Sequence, residues 1–360
     1  MAGLKKRSYD YTLLIALSVL IIMGLIILYS TSSYNGMVKF HDSFYYLKKQ
    51  IFATTLGIAA MFAVAGMDYH IWKHFAVPGY IAAVLLSIAV MLFGDEYNGS
   101  KRWLSLGPFS FQPSEYAKVA LILFLAYVVT KNVKKMSSVF TLVKIMAGIL
   151  PIVGLVGASN LSTAIIILGI AVVLIFIASP KYAQFIWMGI LGCGFMAIFL
   201  ALESYRLERL AIWRNPEKYE KGYQTLQGLY AIGSGGLFGR GLGESVQKLG
   251  FVPEAQNDMI FSIICEELGL FGAGIILILF LILIWRFFVI ATHAKDLFGA
   301  LIASGAMAHM MIQVILNIAV VTNTIPNTGI TLPFVSYGGT SVVFLLIEMG
   351  LVLSVSSLIE

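Results

Sequence analysis

The chain has 360 residues, 59% of them hydrophobic and only 12% charged, with a mean hydropathy of +0.90. A soluble domain carries about 25% charged residues; half that supply cannot cover a water-exposed surface, so an ordinary soluble protein is excluded and the bilayer is the second solvent. The net charge of +6 does not mark a nucleic-acid binder, because the basic residues stand in short clusters beside apolar runs, where they set topology and meet anionic headgroups.

In chain order, apolar runs of spanning length fall near 11–30, 50–66, 75–94, 114–130, 139–157, 162–178, 183–202, 259–285, 298–322 and 336–358. About twenty apolar residues cross the hydrocarbon core. These ten runs predict an all-α, polytopic membrane protein, a single integral-membrane domain over residues 1–360. The seventh and eighth helices are separated by a long extracytoplasmic loop at about 203–258. The first run is long enough to stay as a span rather than be cleaved as a signal. The run 50–66 is short and is expected to extend on one side. The runs 139–157 and 162–178 are split only by Ala158-Ser159-Asn160-Leu161 and predict a tight hairpin. With the N-terminus inside, the segments holding Lys5, Lys6, Arg7, Lys73, Lys131, Lys134, Lys135, Lys181, Arg286 and Lys295 are the denser in basic residues, which puts both termini in the cytoplasm. No internal repeat is visible, against a transporter built from two related halves. Cys193 and Cys265 lie in apolar stretches and read as packing residues.

Three segments are expected on the outer side. The first, Asn98 to Pro108, is compact and amphipathic. The second, the 203–258 loop, balances seven basic against seven acidic residues around a glycine-rich centre, Ile232 to Gly243. That centre follows no strand and opens no βαβ unit, so it is no nucleotide fingerprint; flexible backbone or close approach to a substrate explains it. The third, Thr324 to Gly339, has no charge, and its two prolines and three glycines forbid regular helix. Irregular backbone at membrane depth belongs against a cavity or inside protein, so these segments are expected to roof one cavity.

Several polar groups fall inside the apolar runs. Glu115 and Lys118 are three residues apart and share a helix face; a structural pin and a pair that charges a cavity are both open readings. Glu266 and Glu267 are adjacent and project about 100° apart, so one of them is expected to face a polar cavity. His309, Gln313 and Asn317 form one stripe, expected to hydrogen-bond between helices. His70 and His74 have the spacing of a metal pair but no third ligand beside them, short of the four that a structural zinc site wants. Asp258 ends the long loop. It reads as an N-cap for the next helix, or as a carboxylate raised toward general-base range by desolvation at a cavity mouth. Glu254, four residues earlier, could share its face if the helix extends back past Pro253.

Tyr29-Ser30-Thr31-Ser32-Ser33, Asn98-Gly99-Ser100-Lys101-Arg102-Trp103, Phe111-Gln112-Pro113-Ser114-Glu115-Tyr116-Ala117-Lys118, Gln227 to Gly236, Pro253-Glu254-Ala255-Gln256-Asn257-Asp258 and Gly329 to Gly339 occur in that order. Together they resemble the SEDS family (FtsW, RodA and SpoVE), and Gly241 to Leu249 is similar to its FtsW side. Where the family has Pro-Asp-Leu-Gly-Thr, this chain has Ser159-Asn160-Leu161-Ser162-Thr163; its His-Thr before the aspartate is Gln256-Asn257, and its following Phe is Met259. The resemblance implies a peptidoglycan glycosyltransferase in the bacterial cytoplasmic membrane, with the division septum as one candidate place of work and roles in division, elongation and sporulation all left open. Lipid II is the implied substrate, and a class B penicillin-binding protein and other cell-division proteins are the implied partners. It implies Asp258 as the catalytic residue, with Glu115 and Lys118 supporting it.

That chemistry suits the residues. A sugar hydroxyl must lose a proton as it attacks C1 of a diphospholipid-linked donor with inversion, and one carboxylate base serves. Lys101, Arg102 and Arg240 are the candidate cations for the leaving diphosphate, with Glu254 beside them as a substrate-side carboxylate. No cofactor is called for, and a divalent cation is left open. The alternatives are a lipid II flippase and a non-catalytic scaffold for the transpeptidase.

Overall fold

The computed structural model describes residues 8–97, 100–106, 109–181, 184–186, 189 and 210–359. Its helices are α1 (Tyr11–Phe40), α2 (Tyr45–Ala65), α3 (Trp72–Phe93), α4 (Pro113–Asn132), α5 (Val139–Ser159), α6 (Leu161–Ala178), α7 (Tyr223–Gly235), α8 (Ile260–His293), α9 (Leu297–Val321) and α10 (Gly339–Ser356). Among the described residues, nine helices are long and apolar enough to cross a membrane; the short α7 is not one of them. The expected span 183–202 lies largely outside the described residues. The short run at 50–66 does extend, on its N-terminal side, to Tyr45.

Residues at the helix ends account for where four of these helices begin. Asp10 caps α1 by accepting from the Leu13 N–H (2.9 Å), Asn160 caps α6 from Thr163 (3.2 Å), and Asp296 caps α9 from Gly299 (2.8 Å). Each oxygen satisfies an N–H that the helix itself leaves free. Pro113 opens α4 at a position where no amide hydrogen is needed. The Tyr29 to Ser33 stretch does not follow α1 but continues it, and the helix of 30 residues spans about 45 Å. It therefore outruns a hydrocarbon core of about 30 Å and carries Lys39 and Phe40 beyond it.

The bundle has two ends. At one, the terminal face, Arg286 of α8 holds Asp10 through Nε (3.0 Å) and Nη2 (2.5 Å), and the Asp10 N–H donates to Ser356 Oγ (3.4 Å), so the two ends of the chain meet. The α2–α3 turn joins the same face, where Tyr69, His70 and Lys73 converge on Asp296. At the other, the loop face, stand β1 (Asp95–Tyr97), β2 (Ser100–Leu106) and β3 (Phe109–Phe111) in an antiparallel sheet of order β1-β2-β3. This ribbon is the amphipathic segment expected there, and it is the sole sheet among the described residues. The loop from Trp213 to Met259 and the irregular 322–338 segment share that face, joined by Trp213 Nε1 donating to the Asn323 carbonyl (2.9 Å).

Small residues let the helices close up. A Cβ on Gly350 of α10 would lie 2.5 Å from the Met61 carbonyl of α2, so these backbones touch as only glycine allows.

Candidate functional site

The site is built on the polar stripe of α9. His309, Gln313 and Asn317 are all buried. Gln313 Nε2 donates to the Thr331 carbonyl (3.0 Å), which fixes its amide and turns Oε1 the other way. That oxygen accepts from Lys118 Nζ (3.2 Å) and faces His309 Nε2 (2.8 Å). Lys118 is paired with Glu115 (3.0 Å), and the other His309 nitrogen faces Glu348 of α10 (2.8 Å). Because Oε1 can only accept, His309 Nε2 is the donor in that contact. Glu115, Lys118, Gln313, His309 and Glu348 thus form one continuous chain across three helices. The stripe acts as the interhelical hydrogen bonding its spacing predicts.

One turn further toward the loop face, Asn317 Nδ2 donates to two carbonyls at once, Asp258 (2.9 Å) and Ile330 (2.7 Å). This fastens the end of the long loop to the charge-free 329–338 segment. Tyr337 N–H donates to the Gln256 carbonyl (2.9 Å), and Asn35 of α1 donates to Gln256 Oε1 (2.9 Å). Phe334 and Glu254 hold positive φ of 61° and 54°. Such backbone is costly for residues with a side chain and clusters where function fixes geometry.

Asp258 is only 9% exposed. Gln224 of α7 donates to its Oδ1 (3.4 Å), and a Cβ added to Gly329 would lie 3.9 Å from Oδ2. Burial pushes its carboxyl up to about 6; the charge of Glu254 pushes the same way, and the amides of Asp258, Met259 and Gln224 oppose them. The cap reading of this residue does not hold: α8 begins at Ile260 behind Met259, with no side-chain cap. Nor does the helix extend back to give Glu254 a shared face, since the chain from Pro253 to Met259 runs in turns. Glu254 accepts from Asn257 Nδ2 (2.5 Å) and faces Lys39 at 3.9 Å.

The rest of the loop is locked to a break in α8. Gly269 takes φ 66° and ψ −170°, interrupting the helix. The glycine-rich run fills the gap: Arg240 and Gly241 N–H donate to the Glu266 and Glu267 carbonyls (both 2.9 Å), and Leu270 and Phe271 N–H donate to Gly236 and Leu237 (2.9 and 3.0 Å). A Cβ on Gly239 would sit 2.2 Å from the Glu267 carbonyl. Gly235 and Gly239 therefore serve close approach to the broken helix, a role the sequence reading of flexible backbone or close approach to a substrate did not include. Glu266 and Glu267 are both buried and both hold the loop, so neither faces a cavity as expected. Glu266 accepts from Ser245 Oγ (2.5 Å) and stands 3.6 Å from Arg240; Glu267 accepts from Ser30 (2.7 Å) and Lys248 (2.7 Å).

A model of the FtsW, RodA and SpoVE family, described as cell cycle protein, matches residues 11–359. The chain belongs to this family. It is 40% identical to stage V sporulation protein E of Bacillus subtilis (strain 168), with 98% of each chain covered. It is 36% identical to a probable peptidoglycan glycosyltransferase FtsW of Geobacter sp. (strain M18), again over 98% of both. A chain from a peptidoglycan synthase complex that coordinates polymerization and crosslinking matches with a TM-score of 0.82 and 28% identity, over 97% of this chain and 98% of that one. The rod shape determining protein RodA of Thermus thermophilus gives 0.72 and 28% over 97% of both. FtsW and SpoVE relatives thus accompany the FtsW-like Gly241 to Leu249 segment.

Within this FtsW/RodA/SpoVE chain, α9 holds the Asp258 backbone through Asn317 and meets the Glu115–Lys118 pair through Gln313, the two amides donating to the neighbouring carbonyls of Ile330 and Thr331. The candidate cations are not gathered there. Arg240 pairs with Glu266, Arg102 Nε donates to the Ser159 carbonyl at the end of α5 (3.1 Å), and Lys101 stands exposed on β2. Asn160, where the family's acid stands, caps α6. His70 is engaged by Asp68 (2.6 Å) and Asp296 (3.0 Å) while His74 faces the Ile71 carbonyl, and the described residues hold no cluster of three metal-binding side chains. Sequence reasoning missed Glu348, although a lone carboxylate within an apolar run is itself a signal. It also missed Lys248 and Gln224, which nothing in the pattern of the loop distinguishes.

Proposed function

We propose that this family member is a peptidoglycan glycosyltransferase that polymerises lipid II, with Asp258 as the general base. The observation that supports it is a buried carboxylate raised to about 6 at the loop face, its backbone and the facing segment tied to a fixed hydrogen-bonded scaffold. A base poised near the working pH keeps both its ionised form and its proton affinity. In the proposed step, Asp258 takes the proton from the acceptor's sugar hydroxyl, the freed oxygen attacks C1 of the donor with inversion, and the diphospholipid departs. Lys101, Arg102 and Arg240 remain the proposed partners of the leaving diphosphate, and Glu254 raises the affinity of Asp258 for its proton. Glu115 and Lys118 act from behind, through Gln313, on the segment facing Asp258.

The loop face is the extracytoplasmic side in this reading, and both termini are cytoplasmic. The crosslinking partner is a class B penicillin-binding protein, and the site of work is the division septum with other cell-division proteins. Flipping of lipid II would need a polar path through the bundle. Among the described residues the hydrogen-bonded chain ends at His309 and Glu348, near the middle of α9 and α10, and toward the terminal face the buried side chains of the two helices are apolar (Ala306, Ile302, Leu301, Leu351, Val352) apart from the small Ser304, Ser354 and Ser356. The test is polymerisation of labelled lipid II by the purified protein in detergent, where there is no membrane to cross. Glycan strands are the expected product; their absence under conditions where the protein is folded removes the enzymatic reading in favour of the flippase or scaffold.

A further inference from the structure

Three strands of chain meet at one side-chain amide. Asn317 is fully buried, and its Nδ2 is shared between the Asp258 and Ile330 carbonyls. Both neighbours can only accept, so the amide orientation is fixed without ambiguity. Gln313, four residues back on the same helix face, holds the next carbonyl along, Thr331, and is itself held by Lys118 and His309. The facing segment has little regular structure of its own to set its height. Its other fastenings are the turn between Leu332 and Ser336 and the contacts of Ser336, Tyr337 and Gly338 with Gln50 and Gln256. Asp258 lies in a run of turns, with a backbone held from below by Asn317 and a carboxylate reached from the side by Gln224.

We propose that Asn317 is a positioning residue: its amide sets the height of Asp258 against the 329–338 segment, and Gln313 sets that segment from the other side. This rests on the reading of Asp258 as the base. The physical content is distance. A catalytic group displaced by about 1 Å loses on the order of a hundredfold in rate, and an amide bridging two carbonyls fixes both within hydrogen-bond length. The charged and titratable groups around Asp258 are Glu254 on its own loop and Lys39 of α1 beyond it. Those that reach it only through α9 are Glu115 and Lys118 of α4, His309 of α9 and Glu348 of α10.

The test uses the purified full chain in detergent and labelled lipid II, with kcat, KM and the pH–rate profile as readouts. Asn317→Leu fills similar volume and donates nothing. It is expected to lower kcat about a hundredfold with KM unchanged. It should also move the acid limb below 6, because an untethered turn lets the Asp258 carboxylate reach water. Asn317→Ser keeps one donor for two carbonyls and should fall between, by both readouts. A wild-type rate, or a loss of rate with the acid limb unmoved, overturns the proposal. If Asn317→Leu does not fold, Asn317→Ser carries the same test; if neither folds, Asn317 serves folding and the proposal is wrong. A wild-type enzyme indifferent to Asp258→Asn would remove the base reading instead, whatever Asn317 does.

Discussion

Replacing Asp258 by Asn should make the protein more stable at neutral pH, and the structure gives the size. The carboxyl stands at about 6 in the folded chain against 3.8 for a free one. A folded state that holds its proton more tightly than the unfolded chain loses stability as pH rises from about 4 to 6 and is level above that. The ionised Asp258 therefore destabilises the fold at pH 7 by up to about 3 kcal/mol. Asn keeps the shape of the protonated acid and its amide oxygen can still accept from Gln224. The gain should appear in thermal or denaturant unfolding of the purified protein at pH 7.5 and shrink to nothing near pH 4. A variant equal to or less stable than wild type at pH 7.5 would refute the claim that burial, rather than a compensating partner, governs this carboxyl.

The Glu115–Lys118 pair should be worth about 3–5 kcal/mol when one partner is removed, because the other is left buried and charged; Lys118→Met should cut folded yield and thermal stability, and a fully stable variant contradicts this. Reversing both charges (Glu115→Lys with Lys118→Glu) should fold better than either single reversal yet stay inactive, since a carboxylate at position 118 would turn the Gln313 amide away from Thr331; recovered polymerisation would show the Thr331 contact to be idle. Lys248→Met strands Glu267 with Ser30 alone, so its thermal stability should drop and be partly restored by adding Glu267→Gln; no drop would mean that the loop is held by its backbone bonds. Cysteine introduced at position 218 should react with an impermeant reagent added outside intact cells and at position 134 should not; the opposite pattern overturns the proposed orientation.

Fold and site were unequally legible. Apolar length alone was enough for all nine described spans, because a bilayer demands about twenty apolar residues whatever their tertiary contacts. The period of four in His309, Gln313 and Asn317 likewise revealed one face, and the three-residue spacing of Glu115 and Lys118 revealed a pair. What the sequence could not show is which backbone each amide meets. Asn317 bridging Asp258 and Ile330 is a contact between residues 59 and 13 positions away, set by tertiary packing. The seating of the glycine-rich run in the break at Gly269 was hidden for the same reason, since no local pattern betrays that break. The cap expected of Asp258 failed because the helix starts two residues later, leaving the carboxylate to its pocket of Gln224 and Gly329.

Whether Asp258 acts as a base is decided by single-turnover polymerisation of labelled lipid II by purified wild type and Asp258→Asn at neutral pH. With Asp258 as the base, the variant is folded and at least as stable as wild type, yet slower by about 10²–10⁴. A folded Asp258→Asn variant that extends glycan strands at the wild-type rate would contradict that role.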